Sequence, residues 1–300
     1  MDLSIIIVNW NTRDLLDACL ASVYASTGGL QLEVFVVDNA SGDGSAAMVR
    51  TRYPHVRLIE NFENRGFAAA NNQAIALSAG RYVLLLNSDT ELASDALSYL
   101  VRFMDAHPRA GAVGPLLLNA DGSLQPSCHP VLTPWREFWR LLFLDRVLPL
   151  ATYPMHRWDR ETPREVEVIK GACLLLRAEA LAQVGLLDER YFVYTEEMDL
   201  CARLLAAGWA NHWEPRARVT HYGERSTRQV SDAMYLQLYR SKTQFHRKLG
   251  GEGRARLFKL QLGIAYAPRY LVASIAGLFS RAWSQRRTTL ARLLAELPNL

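Results

Sequence analysis

The chain opens with an unbroken apolar, β-branched run over residues 3–8. A continuous run of this length reads as a strand covered on both faces, because a half-exposed strand would alternate. Residues 12–24 then set Leu15, Leu16, Cys19, Leu20 and Val23 on one face at helical spacing. The pattern repeats, with strands expected over 32–37, 56–59 and 82–86 and helices over 43–52, 67–78 and 94–106. Buried strands alternating with helices predict a mostly parallel α/β sheet with helices on both faces.

The second half is less regular. A strand is expected over 170–177, a short helix over 178–184 and a helix over 196–207 whose acidic start suits the positive end of its dipole. Residues 135–148 (WREFWRLLFLDRVL) form an amphipathic stretch, and 231–249 and 254–294 read as helices. This suggests a first region over 1–230, divided into halves 1–115 and 116–230, and a helical C-terminal region over 231–300.

In open α/β sheets, ligands bind beyond the carboxyl ends of the strands. The residues after the four strands are Asn9-Trp10-Asn11-Thr12, then Asp38 through Gly44, then Glu60 through Gly66, then Asn87-Ser88-Asp89-Thr90. Four polar loops converging on one edge, with Asp38 and Asp89 among them, favour a site there. Gly42 to Ala47 fits the loose G-x-G-x-x-A dinucleotide pattern, but it follows the second strand instead of the first, so a small-residue helix start explains it as well.

Three further groups carry possible chemistry. Asp89 at a strand end offers a hard oxygen ligand of the kind Mg²⁺ or Mn²⁺ takes together with phosphate oxygens. Glu196, Glu197 and Asp199 crowd three carboxylates into four residues, either as an acidic helix start or as a general base with neighbours that adjust it; Asp199 is also an i, i+4 partner of Arg203. His221 is a ligand only if a metal lies nearby. Cys19, Cys128, Cys173 and Cys201 show no C-x-x-C spacing, so buried, reduced thiols are expected.

The ordered set of motifs resembles inverting glycosyltransferase family 2. It comprises Ser4 through Asn11 (SIIIVNWN), Val37 through Ser41 (VDNAS), Asn64-Arg65-Gly66-Phe67 on to Asn71-Asn72, and Leu86 through Thr90 (LNSDT). Lys170-Gly171-Ala172, Glu196 through Leu200 and Pro215-x-Ala217-x-Val219-x-His221 continue it in order, so the likeness covers roughly residues 3–225 and is nearest the rhamnosyltransferase-like branch. The resemblance implies a GT-A fold binding a nucleotide-diphosphate sugar, dTDP- or UDP-linked, with rhamnosyl from dTDP-rhamnose as the first choice and hexosyl or N-acetylhexosaminyl as alternatives. It places Val8 and Trp10 at the base, Asp38 on the base or ribose, and Gly66, Phe67, Asn72, Asn87, Ser88, Gly171 and Ala172 around the nucleotide and sugar. It assigns Asp89 and His221 to Mg²⁺ or Mn²⁺, and Glu197 to the base that activates the acceptor, with Glu196 and Asp199 as competitors. Two departures stand out: the first acid of the family's D-x-D motif is Asn87 here, and its Glu-Asp pair is Glu196-Glu197.

Composition changes the picture in one respect. Half the residues are hydrophobic and the formal net charge is +4, which excludes a disordered chain. Yet residues 240–300 hold 12 Lys and Arg against 2 acidic residues, a local +10 on a body that is net acidic. Without a recognition motif, nucleic acid is not expected. An interfacial helix on a membrane surface and a basic helical cap on the sheet both remain open. With no signal segment and no secure span read from the sequence, the expected place is the cytoplasm, peripheral on the membrane, with a saccharide or lipid-linked saccharide as acceptor. A sugar-1-phosphate nucleotidyltransferase would need a glycine-rich loop after the first strand, which Asn9 to Thr12 lacks. A non-catalytic sugar-nucleotide or membrane-binding protein is the remaining alternative.

Overall fold

The computed structural model describes residues 1–223 and 231–300. They form two compact units, one from residues 1–131 and 154–223, the other from 132–153 and 231–300. Residues 132–153, read from sequence as part of the first region, thus pack in the second unit. The sequence boundary at 230/231 lies at the edge of 224–230, which are outside the described residues.

The first unit is built on a nine-stranded sheet in the order β3-β2-β1-β4-β10-β6-β11-β5, with β8 (Arg164–Val166) also on β11. β1 (Leu3–Asn9), β2 (Leu32–Asp38), β3 (Arg57–Glu60) and β4 (Tyr82–Asn87) run parallel, in register Val8↔Val37 and Val8↔Asn87. Ile5, Ile7, Val34, Val36, Leu84 and Leu86 share one fully buried cluster, as their continuous apolar runs require. Helices α1 (Arg13–Ala25), α2 (Ser45–Arg52), α3 (Phe67–Ile75) and α4 (Ala96–Ala106) alternate with these strands. The Gly42–Gly44 turn serves the start of α2: Asp43 accepts bonds from the Arg13 and Ser45 amides, and Gly44 takes a left-handed φ of 86°.

The far half of the sheet departs from the sequence reading. β6 (Ala110–Leu118), β11 (Ala210–His221) and the short β5 (Thr90–Leu92) are strands where none was expected. β10 (Cys173–Arg177) runs antiparallel to both β4 and β6, so the sheet is mixed here. Gly111, Gly114 and Pro115 hide β6, because proline cannot donate to a ladder. The fold places Pro115 opposite Glu214 at the register shift to Arg218, where a ladder bond is already lost. The strand expected over 170–177 begins only at Cys173 as β10, and a turn carrying Gly171 and Ala172 separates it from the short β9 (Val168–Ile169). β9 pairs with β7 (Cys128–His129), and α6 (Ala178–Val184) and α7 (Glu196–Ala206) complete the unit. All four cysteines are buried and free.

The second unit packs α5 (Pro134–Leu141), α8 (Ser231–Ala276) and α9 (Arg281–Glu296) around Phe258, Leu262, Ala273 and Leu293. Thr133 caps α5 by accepting from the Arg136 amide, and Pro134 at the first turn loses no bond. The amphipathic stretch 135–148 ends as a helix at Leu141, since Phe143 turns to φ 59°. α8 is broken at Gly250 and Gly251, and the helix expected over 254–294 is interrupted between Ala276 and Arg281. No helix among the described residues is long and apolar enough to cross a membrane.

Candidate active site

The carboxyl ends of β1, β2 and β4 meet at one edge of the first unit. Val8 and Trp10 are half-buried there. Asp38, at the end of β2, is almost fully buried. Asn9 Nδ2 donates to its Oδ1 at 3.0 Å and the Ser41 amide to its Oδ2 at 3.0 Å. Thr12 links this pair to the next strand, donating to Asn9 Oδ1 at 2.7 Å and meeting Ser88 Oγ at 2.8 Å. Asn9, Thr12 and Ser41 were not among the residues expected from sequence. Each hydroxyl or amide in a polar loop is unremarkable alone, and only strand pairing shows that they join one network around Asp38.

The loop after β3 is held by Asn39, another residue the sequence reading missed. Its Nδ2 donates to Asn64 Oδ1 and Gly66 O, while its Oδ1 accepts from Asn61 and from the Arg65 amide. Gly66 follows at φ 81°, and a Cβ there would lie 2.3 Å from Phe192 O. That carbonyl accepts from the Phe67 amide at 2.6 Å, so the glycine allows two loops to touch. Asn72 points elsewhere: it donates to Leu187 O and Glu189 Oε1 and accepts from the Leu187 amide. Its visible role is to fix the loop that leads to Phe192.

At the end of β4, the Asn87 amide donates to Ala172 O at 2.9 Å. This bond joins the 87–89 turn to the Gly171-Ala172 turn. Asp89 is buried, with Oδ1 3.2 Å from His221 Nε2. His221 Nδ1 lies 2.7 Å from Gln125 Oε1. Gln125 Nε2 donates to His221 O and Asn119 Oδ1, which turns its carbonyl oxygen toward the ring. Nδ1 is thus placed to donate to Gln125, and Nε2 lies 3.4 Å from Asn87 Nδ2 as well as beside Asp89. A proton on Nε2 or a cation shared with Asp89 would each satisfy this contact. Gln125 was not anticipated, because nothing in the local sequence ties it to a residue 96 positions away.

The three carboxylates of α7 separate by environment. Asp199 is buried in an ion pair with Arg203 at 2.9 Å, and Arg203 also donates to the carbonyls of Val184, Gly185 and Leu186. Its visible role is to tie α7 to the loop after α6. Glu196 and Glu197 each have a buried Oε2 with no hydrogen-bond partner. Burial, and then the neighbouring Glu197 charge, push the Glu196 carboxyl well above the usual glutamate range. Burial also raises Glu197, against the helix-start amides and Lys170, which favour its charged form. Lys170 thus favours a charge on Glu197, while the Glu197 charge disfavours one on Glu196. The helix begins from two consecutive residues at positive φ, Tyr194 at 70° and Thr195 at 78°. Neither is glycine, and such strain is held only where the surroundings enforce it. Gly171 completes the arrangement: a Cβ on it would stand 3.7 Å from Glu197 Cβ and 3.7 Å from the Phe67 ring. The structure thus brings Gly66, Phe67, Gly171 and Glu197 together, and joins Ala172, Asn87, Asp89 and His221 beside them.

Residues 4–181 match the family model described as glycosyl transferase family 2. The chain belongs to glycosyltransferase family 2. Among curated members, it is 34% identical over 249 residues to the N-acetylglucosaminyl-diphospho-decaprenol L-rhamnosyltransferase of Mycobacterium tuberculosis, covering 75% of this chain and 77% of that one. Its fold is shared with GT-A glycosyltransferases of known structure. The mannosyltransferase PcManGT of Pyrobaculum calidifontis, in complex with GDP-Man and Mn²⁺, matches at TM-score 0.56 and 20% identity over 98% of this chain and 85% of that chain. S. aureus TarS 1–349, in complex with UDP, matches at TM-score 0.55 and 15% identity over 89% and 72%. The family 2 match ends at residue 181, before Glu196, Glu197 and His221, so the placement of these three rests on the geometry above.

If Glu197 is the base, this glycosyltransferase works only with Glu197 ionised. Its raised pKa then sets the acid limb of activity. The rate is expected to rise with pH through a midpoint above the ordinary glutamate value of about 4.3. A pH–rate profile of kcat/KM over about pH 4–8 checks this, and a rate already level at the acid end would contradict it.

Proposed function

We propose that this family 2 enzyme transfers a sugar from a nucleotide-diphosphate donor to a lipid-linked saccharide in a single inverting displacement. L-Rhamnosyl from dTDP-rhamnose is the donor we favour, on the identity to the mycobacterial rhamnosyltransferase. The observation that carries the mechanism is the half-buried Glu197, its Oε2 enclosed and without a hydrogen-bond partner, set against Gly171 and Phe67. An acceptor hydroxyl is a poor nucleophile, so a carboxylate must take its proton as oxygen attacks the anomeric carbon. One displacement needs one base and no covalent intermediate.

The diphosphate gathers negative charge as it leaves. The pair of donors at Asp89 Oδ1 and His221 Nε2 suits a divalent cation such as Mg²⁺ or Mn²⁺. No cluster of three His, Cys, Asp or Glu is gathered among the described residues, so phosphate oxygens and water would supply the remaining ligands. Bound there, the ion would stabilise the leaving group as a Lewis acid. Val8, Trp10 and Asp38 border the base and ribose in this reading. The basic C-terminal region, residues 240–300, rests on the inner membrane surface, where the lipid-linked acceptor would be presented.

Asp89→Ala is expected to weaken nucleotide binding in Mn²⁺ by about tenfold or more while leaving binding in EDTA unchanged. Titration calorimetry with dTDP in both buffers checks it, and equal affinity of the variant and the wild type in Mn²⁺ would refute the metal assignment. A panel of dTDP-, UDP- and GDP-sugars, scored for transfer to a polyprenyl-diphosphate N-acetylglucosamine, tests the donor and the acceptor together.

A further inference from the structure

The second unit contains a cavity of about 400 Å³ lined by none of the residues of the candidate active site. That volume lies in the range of small-ligand sites. Its charged lining residues are Arg140, Lys242, Arg269 and Arg286, and no carboxylate is among them. Lys242 is spoken for, since its Nζ pairs with the buried Glu137 at 2.8 Å. Arg140 gives one nitrogen to the same carboxylate at 3.3 Å. The cavity thus keeps a net positive wall after its one acidic neighbour is counted.

The arginines are held ready by aromatic faces. Arg269 stands 4.5 Å over the Phe143 ring and 4.8 Å over Tyr266, and it donates to Leu141 O. Arg286 lies 5.4 Å over Trp283. Stacking fixes a guanidinium plane while leaving its edge nitrogens for an anion. The wall between them carries Tyr235, Tyr239 and Tyr266, whose hydroxyls form one cluster. Burial and this mutual contact raise all of the shifted tyrosines above their usual range, so they stay protonated. A pocket of guanidinium forks and phenol hydroxyls is built for a multidentate oxyanion.

Beside the cavity, the chain exposes apolar side chains that a water-facing helix would not. Leu271, Val272 and Ile275 at the end of α8, and Leu278 and Phe279 in the turn after it, are each more than half exposed. Phe143, in the cavity wall itself, is half exposed, and Val147 nearby in sequence is 88% exposed. Exposed apolar residues next to arginines fit a lipid interface, with the rings and aliphatic groups at the acyl boundary and the cations at the phosphates.

We propose that this cavity binds a phosphate ester and that the neighbouring apolar surface makes that ester a lipid headgroup. The lipid part rests on the membrane contact proposed above, and the phosphate part does not. Two experiments on the full chain separate them. Calorimetry with inorganic pyrophosphate, in EDTA, reads the cavity without a membrane. The double substitution R269Q/R286Q is expected to weaken this binding by about tenfold or more, whereas the charge-matched R281Q/R287Q, at exposed arginines outside the cavity, changes it by less than about twofold. Equal losses in the two variants, or no binding by the wild type, would overturn the site.

Flotation with phosphatidylcholine vesicles, either alone or carrying phosphatidylglycerol or a polyprenyl diphosphate, reads the source. Binding to phosphate-bearing vesicles that falls about tenfold further in R269Q/R286Q than in the matched pair supports a lipid headgroup. A preference for the polyprenyl diphosphate points to the acceptor, and an equal response points to bulk phospholipid; both support the site. Vesicle binding that drops equally in both variants overturns the cavity and leaves the membrane contact standing. Pyrophosphate binding without flotation overturns the lipid source and the membrane contact together.

Discussion

Replacing Glu197 by glutamine is expected to lower turnover by about 100-fold or more while donor binding stays near that of the wild type. Glutamine keeps the shape and the position against Gly171 and Phe67 but cannot accept a proton from the acceptor hydroxyl. The neighbouring Glu196→Gln is the control that gives the result meaning. Burial, and then the Glu197 charge, raise the Glu196 carboxyl well above the usual glutamate range, and glutamine is nearly isosteric with a protonated glutamate. Glu196→Gln is expected to retain activity within about tenfold.

The stability effect has a definite sign. A carboxyl whose folded pKa is raised makes the folded state hold more protons than the unfolded one. Stability is therefore lost as pH rises from the unfolded value of about 4.3 toward the folded pKa. Removing that titration should leave Glu196→Gln at least as stable as the wild type at neutral pH. Steady-state kinetics, donor calorimetry and thermal melting on both variants decide the matter. Near-normal turnover in Glu197→Gln would remove it as the base, and a large loss in Glu196→Gln alone would transfer the role.

Lys242→Met is expected to destabilise the second unit by about 3–5 kcal/mol. Glu137 has a side-chain exposure of 1% and Lys242 of 7%, and they pair at 2.8 Å. The lysine and Arg140 hold the Glu137 carboxyl below its usual range in spite of burial. Methionine fills the volume but leaves a buried charge with only the 3.3 Å contact to Arg140. Hydrogen exchange followed on peptides from α5 and α8 reads the opening free energy of this unit in the full chain. The double variant Glu137→Leu/Lys242→Met removes both charges and should recover most of the loss, because a buried pair is often no better than a well-packed apolar one. Unchanged exchange in Lys242→Met would show that the pair carries no such weight.

Much of the catalytic unit was legible in the chain. Fully buried parallel strands need apolar runs, so the strands at 3–8, 32–37 and 82–86 announced themselves, and Asp38 and Asp89 could be placed at one edge by topology alone. β6 was not legible, because its glycines and Pro115 carry no β signal and are tolerated only opposite the shifted register of β11. Asp199 was read as a possible base or a salt-bridge partner, and the i, i+4 spacing to Arg203 correctly offered the second. Asn72 looked like part of the donor pocket, but its amide clamps Leu187 and Glu189, contacts across more than a hundred residues that local sequence does not encode.

The sequence by itself determined the order of the elements, the polar strand-end loops and the family, because each depends on local periodicity or on motifs that stay in order along the chain. The tertiary structure decided which of three crowded carboxylates is paired with an arginine and which two are enclosed with an unpartnered oxygen. It also decided that Gln125 orients His221, and that Arg140, Arg269 and Arg286 line one cavity. Protonation and ligand geometry depend on burial and on partners distant in sequence. Those quantities exist only once the chain has folded.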